Sequence, residues 1–273
     1  MRVGFIGLGS QGAPMARRIV EGGYDLTLWG RRPESVAPFT DTAAKVAGSP
    51  AELAAGSDLV CLCVVGDDDV RQVLEGDTGV LAGLAPGGIV AIHSTVHPDT
   101  CREIAALAGA QGVSVIDAPV SGGAPAASEG TLLVMVGGED DVVEKCRPVF
   151  ETYADPVVHL GPLGAGQVTK ILNNLLFSAN LGAAISTLEL GESLGVPRDR
   201  LCEVLARGSA TSKAVSSISM FGGTLASLAP IAGALLQKDV RHAASLADDA
   251  SASHGTVFTV ADTALERMDH PRS

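Results

Sequence analysis

Through its first 160 residues the chain alternates short apolar runs with amphipathic, helix-like stretches. The apolar runs predict strands at residues 2–6, 25–29, 58–65, 88–93, 113–117, 132–136 and 157–160. Several are continuously apolar and rich in Val and Ile, the pattern of strands covered on both faces. Helix starts are marked between them. Ser49-Pro50-Ala51-Glu52 is a capping-box pattern with proline at the first helical position. Strands that alternate with helices imply crossover units and a mainly parallel sheet.

The pattern changes at Gly161-Pro162-Leu163-Gly164, after which the chain is helix-like throughout. Val168, Ile171, Leu172, Leu175 and Leu176 recur at helical spacing, and the pattern continues through Ala179, Ile185 and Leu188 to Leu194. One helix of about 40 Å is expected there, at about 1.5 Å per residue. Val196-Pro197 begins another. The predicted architecture is α/β: a Rossmann-like, doubly wound parallel sheet over residues 1–160, then an all-α domain over 161–273 opened by the long helix. Residues 171–188 carry no charge, which approaches the lower limit for a membrane-spanning helix. Asn173, Asn174, Ser178, Asn180, Ser186 and Thr187 interrupt that stretch, so a helix buried in a domain or dimer core is expected, with no membrane partner.

Composition narrows the function. The chain has 273 residues, with 19 Lys and Arg against 31 Asp and Glu, a net charge of −12. At 46% hydrophobic residues it is too apolar for intrinsic disorder. The acidic balance argues against a nucleic-acid surface, which needs clustered Lys and Arg. Cys61, Cys63, Cys101, Cys146 and Cys202 are odd in number and form no C-x-x-C pair. No metal site is expected, and free thiols suit a reducing cytosol. The N-terminus runs straight into a strand and lacks the regions of a signal peptide, so a cytoplasmic location is expected.

Gly7-Leu8-Gly9-Ser10-Gln11-Gly12 matches G-x-G-x-x-G, placed after the first strand and at the opening of a helix. Gly7 allows a tight turn, Gly9 lets the backbone approach a pyrophosphate, and Gly12 lets helix and strand pack closely. The phosphates would meet the helix N-terminus and its N–H groups. At the end of the second strand an NAD site usually carries Asp or Glu. Here Trp29-Gly30-Arg31-Arg32-Pro33 places two guanidiniums instead. Arginine clamps a 2′-phosphate and stacks on adenine, so NADP(H) is the expected cofactor and NAD(H) the alternative.

Three further motifs follow: Asp117-Ala118-Pro119-Val120-Ser121-Gly122-Gly123, the run from Gly161 to Asn174 containing Lys170, and Gln237-Lys238-Asp239-Val240. With the glycine loop, in this order and at these separations, they resemble the β-hydroxyacid dehydrogenase family. That family includes 3-hydroxyisobutyrate dehydrogenases, tartronate semialdehyde reductases and glyoxylate/succinic semialdehyde reductases. The resemblance extends to about residue 265. It implies that Lys170 is the catalytic lysine and Asn174 its partner. It implies further that Ser121, Gly122 and Gly123 hold the substrate carboxylate. Lys238 and Asp239 match a C-terminal cofactor and active-site motif, and Val65, Gly66 and Ser94-Thr95 match positions near the nicotinamide.

The chemistry agrees with these roles. Hydride transfer between an alcohol and nicotinamide needs a group to handle the hydroxyl proton, and a lysine serves when desolvation and nearby positive charge lower its pKa. Lys170 and Asn174 are four residues apart and share one helix face. A glycine-flanked serine offers N–H groups and a hydroxyl to a carboxylate. His93 and His97 flank Ser94-Thr95; solvated loop positions are expected for them, and neither is assigned to catalysis.

Some features depart from the family pattern. Gln11 replaces a frequent methionine. Gly66-Asp67-Asp68 replaces a Leu-Pro turn and adds negative charge near the expected cleft mouth. Leu228, Ile231 and Ala232 stand where relatives often have phenylalanine, which suggests a roomier or more apolar pocket. The chain ends soon after Met268, short of the usual last helical segment. Two rival readings are an imine reductase, against which Lys170 argues, and a dinucleotide-binding sensor or assembly protein without turnover. A 6-phosphogluconate dehydrogenase is disfavoured by length and by the few basic residues. The sequence reading is an NADP-preferring dehydrogenase or reductase of a small carboxylate-bearing substrate, with its site between the domains. A homodimer or homotetramer through the helical domain is expected.

Overall fold

A computed structural model describes residues 1–273. The chain divides into two compact units, Met1–Lys170 and Ile171–Ser273, a division that falls within the long helix.

In the first unit, β1 (Arg2–Ile6), β2 (Asp25–Trp29), β3 (Lys45–Val46), β4 (Leu59–Leu62), β5 (Ile89–Ile92) and β6 (Ser114–Asp117) form one sheet. Its order is β3-β2-β1-β4-β5-β6 and every pairing is parallel. The order reverses between β1 and β4, the switch point at which doubly wound sheets bind ligands. Strand periodicity divides the core. Val3, Phe5, Leu59 and Cys61 face one apolar cluster, and Ile6, Val60 and Leu62 face the other. Helices cover both faces, as the continuous apolar runs require. The helices are α1 (Gly12–Glu21), α2 (Pro50–Ala55), α3 (Asp67–Leu74), α4 (Val80–Gly83), α5 (Pro98–Gly109), α6 (Gly123–Glu129) and α7 (Asp140–Phe150).

The capping box at α2 forms with one adjustment. Ser49 Oγ accepts from the Glu52 N–H at 3.1 Å, while Glu52 Oε2 accepts from the Gly48 N–H at 2.7 Å, one residue before the cap. Residues 132–136 and 157–160 were expected as strands but do not join the main sheet. With β7 (Val120–Ser121), β8 (Leu132–Val136) and β9 (Ala154–His159) make a second sheet in the order β7-β8-β9, antiparallel then parallel. Backbone bonds between Asp117 and Gly137 join the end of β6 to the end of β8.

The long helix α8 (Ala165–Ser193) has 29 residues, about 43 Å at the usual rise. It is long and apolar enough to cross a membrane, and half of that apolar window is buried within the protein. The second unit holds the rest of α8 with α9 (Arg198–Arg207), α10 (Lys213–Met220), α11 (Ala229–Asp249) and α12 (Gly255–Arg267). Its core gathers Ile171, Leu175, Leu181, Leu188, Ile218, Leu236, Val240, Phe258 and Leu265. Arg267 forks onto Glu189 at 2.9 and 3.0 Å, joining α12 to α8. All five cysteines are free thiols.

Candidate active site

The expected cofactor residues of the first unit follow the C-terminal ends of β1, β2, β4 and β5, four adjacent parallel strands. Gly7 has φ +100°, and a Cβ there would overlap the Cys63 carbonyl at the end of β4. A Cβ on Gly12 would overlap the Gly7 carbonyl and press on Phe5. A Cβ on Gly9, by contrast, meets nothing within 4 Å. Gly7 and Gly12 therefore serve packing, while Gly9 borders open space. Helix α1 starts at Gly12, has no side-chain cap and carries no acid in its first turn. Its N-terminal N–H groups suit an external anion. Helix α3, after β4, has Asp67, Asp68 and Asp69 in its first turn instead. Of the two helix starts, α1 is the one without acid or side-chain cap, and the loop Gly7–Gly12 fits a dinucleotide.

Arg31 and Arg32 are both exposed beyond β2. Arg31 Nη2 pairs with Asp69 Oδ1 at 3.0 Å, and Arg32 lies 3.9 Å from Glu34. The loops after β4 and β5 are joined by Ser94, whose Oγ accepts from the Val64 N–H at 2.8 Å. That bond sets the backbone leading to Val65, Gly66 and Thr95. Asp67 Oδ1 accepts from the His97 N–H at 2.8 Å and from Thr100 Oγ1 at 2.7 Å. The carboxylate expected to add charge near the cleft mouth thus joins α3 to the start of α5.

His93 corrects a sequence expectation. It is 2% exposed, not a solvated loop residue. Its Nδ1 lies 2.7 Å from the Ala118 carbonyl and its Nε2 3.2 Å from the Tyr153 hydroxyl. Burial pushes its pKa down to about 4, so the ring is neutral at pH 7.

Ser121 ends β7, and Gly122 and Gly123 follow with φ +133° and +73°. This left-handed pair turns the chain into α6, with both glycines exposed and Ser121 half-buried. Lys170 stands on α8 in the second helical turn and is half-buried.

Two residues of the quoted motifs that the sequence reading gave no role shape the start of α8. Asp117 Oδ1 accepts from the Gly164 N–H and Oδ2 from the Gln167 N–H, each at 2.6 Å. Gln167 is fully buried, and its side chain donates to the Ser94 carbonyl at 2.8 Å and accepts from the Val96 N–H at 3.2 Å. The available signal was the place of Asp117 at the head of the Asp117–Gly123 motif, at the end of an apolar strand.

In the second unit Asn174, Asp239 and Lys238 come together. Asn174 Nδ2 donates to Asp239 Oδ2 at 2.6 Å, and Lys238 Nζ lies 3.0 Å from Asp239 Oδ1. Asn173 Nδ2 donates to Asn174 Oδ1 at 3.0 Å, which fixes the amide from its other end. Asp239 is 3% exposed, so this is a buried carboxylate with a hydrogen bond at Oδ2 and an ion pair at Oδ1. Leu228 is in the helical core, Ala232 packs against it, and Ile231 is exposed.

Comparison with known proteins bears on both units. Residues 2–161 match the family model described as the NAD binding domain of 6-phosphogluconate dehydrogenase. Residues 164–269 match the model described as the NAD-binding of NADP-dependent 3-hydroxyisobutyrate dehydrogenase. An uncharacterized oxidoreductase of Mycobacterium tuberculosis is 37% identical over 84% of this chain and 77% of its own. The NAD-dependent L-serine dehydrogenase of Pseudomonas aeruginosa is 35% identical over 82% of this chain and 75% of its own. The solved structure of Mycobacterium tuberculosis 3-hydroxyisobutyrate dehydrogenase with L-serine superposes with a TM-score of 0.84 at 28% identity, covering 100% of this chain and 96% of that one.

Proposed function

Because the chain belongs to the β-hydroxyacid dehydrogenase family and is an NAD(P)-dependent hydroxyacid dehydrogenase, we propose that it is an NADP-preferring enzyme of a small β-hydroxy acid or its semialdehyde. In this reading Lys170 is the general acid/base. The observation that carries it is the immobilised Asn174 amide one helical turn after Lys170, fixed by Asp239 at 2.6 Å. An amide held at both ends presents one orientation to a ligand, which is what a positioning group in a site requires.

The dinucleotide, when bound, supplies or accepts the hydride. Gly9 and the uncapped start of α1 bind its pyrophosphate, and Arg32, with Arg31, takes the 2′-phosphate. Val65, Gly66 and Thr95 border the nicotinamide end. The Ser121 hydroxyl and the N–H groups of Gly122 and Gly123 hold the substrate carboxylate. The Lys170 amine takes the hydroxyl proton on oxidation and returns it on reduction, and Asn174 orients the same oxygen. Lys238 pairs with Asp239 Oδ1 at 3.0 Å and so helps hold the acceptor for Asn174 in place.

The test is a panel of small 3-hydroxy acids with NADP and with NAD, run alongside Lys170→Ala. The variant should lose turnover while NADPH binding survives; unchanged turnover refutes the lysine role. We infer a homodimer or homotetramer as well. Leu172, Leu176 and Leu190 on α8 and Ile231 on α11 are 54%, 56%, 60% and 66% exposed. Sedimentation at low micromolar protein checks this.

A further inference from the structure

The Asp117 carboxylate has no part in the roles above, yet it is fully buried. Its backbone is fixed by two bonds to Gly137, so its position is set by the ends of β6 and β8. Each oxygen takes one N–H at 2.6 Å, from Gly164 just before α8 and from Gln167 in its first turn. First-turn N–H groups have no partner within a helix. Here a strand end far away in sequence satisfies them, where a local Ser or Asp would usually do so. Bonds to an ionised acceptor are about twice as strong as neutral ones. Burial pushes the carboxyl up to about 6, against the pull of the Gly164, Gln167 and Gly166 N–H groups, so it is ionised at pH 8.

The fit around it is close. A Cβ on Gly166 would overlap the Met135 carbonyl and stand 2.8 Å from Asp117 Oδ2. A Cβ on Gly137 would overlap Asp117 Oδ1. Gln167, whose N–H the carboxylate takes, uses its own side chain to grip Ser94 and Val96 on either side of Thr95. The start of α8 is thereby tied to the ends of β5, β6 and β8. Lys170 follows Gln167 by three residues, less than one turn. A slip of one residue in α8 would turn Lys170 by about 100° and shift it by about 1.5 Å. Misplacement of a reacting group by about 1 Å costs on the order of 100-fold in rate.

We propose that Asp117 is a positioning residue for hydride transfer: its buried carboxylate, together with Gln167, locks the start of α8 in the one register that presents Lys170. This rests on the reading of Lys170 as acid/base. The test is Asp117→Asn at pH 8, below the Tm of the variant. The substitution keeps the shape but turns an NH2 group toward one of the two N–H donors. The expected result is a fall in kcat of about tenfold or more, with the NADPH Kd within about twofold of wild type. A lowered Tm with kcat within about threefold of wild type overturns the proposal, because a plain cap affects only folding. If Asp117→Asn does not fold, Gln167→Met reads the second tie: kcat should fall about fivefold or more, and wild-type kcat overturns the proposal. Lys170→Ala, run in parallel, separates the premise from the inference. Full turnover there removes the acid/base reading itself. Lost turnover there, with unchanged kcat in Asp117→Asn, removes only the positioning role.

Discussion

Arg31 reaches from the end of β2 to Asp69 in the first turn of α3, Nη2 to Oδ1 at 3.0 Å. One of the two guanidiniums proposed for the 2′-phosphate is therefore already neutralised, whereas Arg32 is more exposed and lies 3.9 Å from its nearest carboxylate partner. Arg32 should then carry most of the NADP preference. Arg32→Ala should raise the NADPH Kd about tenfold or more, the loss of a charge-assisted contact, and leave NADH nearly unchanged. Asp69→Asn should favour NADPH further by releasing Arg31. Titration of cofactor fluorescence with both dinucleotides checks both expectations.

The glycine loop separates binding from packing. Gly9→Ala should leave Tm unchanged, because its Cβ meets no atom within 4 Å, yet should weaken dinucleotide binding. Gly12→Ala should lower Tm, because its Cβ overlaps the Gly7 carbonyl. Thermal melts with and without NADPH distinguish the two variants.

His93 sets a dependence of stability on acid. Its folded pKa is about 4 against an ordinary 6.5, so below pH 6.5 the unfolded chain takes up a proton that the folded one refuses. Its stabilisation is therefore present above pH 6.5 and lost as pH falls toward 4, by about 3 kcal/mol in all. Asp117 opposes this, because its raised carboxyl gains a proton in the folded state first. The advantage of wild type over His93→Gln should therefore shrink by about 3 kcal/mol between pH 7 and pH 4. Urea unfolding of both proteins across that range gives the difference directly.

The Asn174–Asp239 contact offers a sharp isosteric test. Asn174→Asp would place two carboxylates 2.6 Å apart in a buried setting, and both cannot ionise. One folded pKa would rise far above its unfolded value, so stability present at low pH would be lost as pH rises. The Tm of this variant should fall between pH 5 and pH 8 relative to wild type at the same pH.

The frame of the molecule was legible in the sequence because it is repetitive. Strands such as Leu59–Leu62 and the helix Ala165–Ser193 announce themselves by period and length. The two-residue strands β3 and β7 carry no such signal, and β8 and β9 read as members of the main sheet because periodicity does not specify a partner. The glycine loop was readable since its constraint is local. The tie from Asp117 to α8 was not: its donors are backbone N–H groups, which no residue type marks, and they lie 47 and 50 positions away. His93 failed for the same reason, with partners at Ala118 and Tyr153 that only folding brings near. Asp67 read as free charge because its acceptor role depends on α5 beginning beside α3.

The free cysteines have a practical consequence. Cys61 and Cys146 lie in one core cluster of the first unit, Cys101 in the other, and Cys202 in the helical core. Burial raises all of these thiols, with Cys146 pushed up to about 12, so alkylating reagents find little thiolate in the native state. Modification must wait for the surrounding region to open. A thiol-labelling time course followed by peptide mapping would thus act as a clock with one hand in each core, and the order in which the cysteines react would show which part of the molecule breathes first.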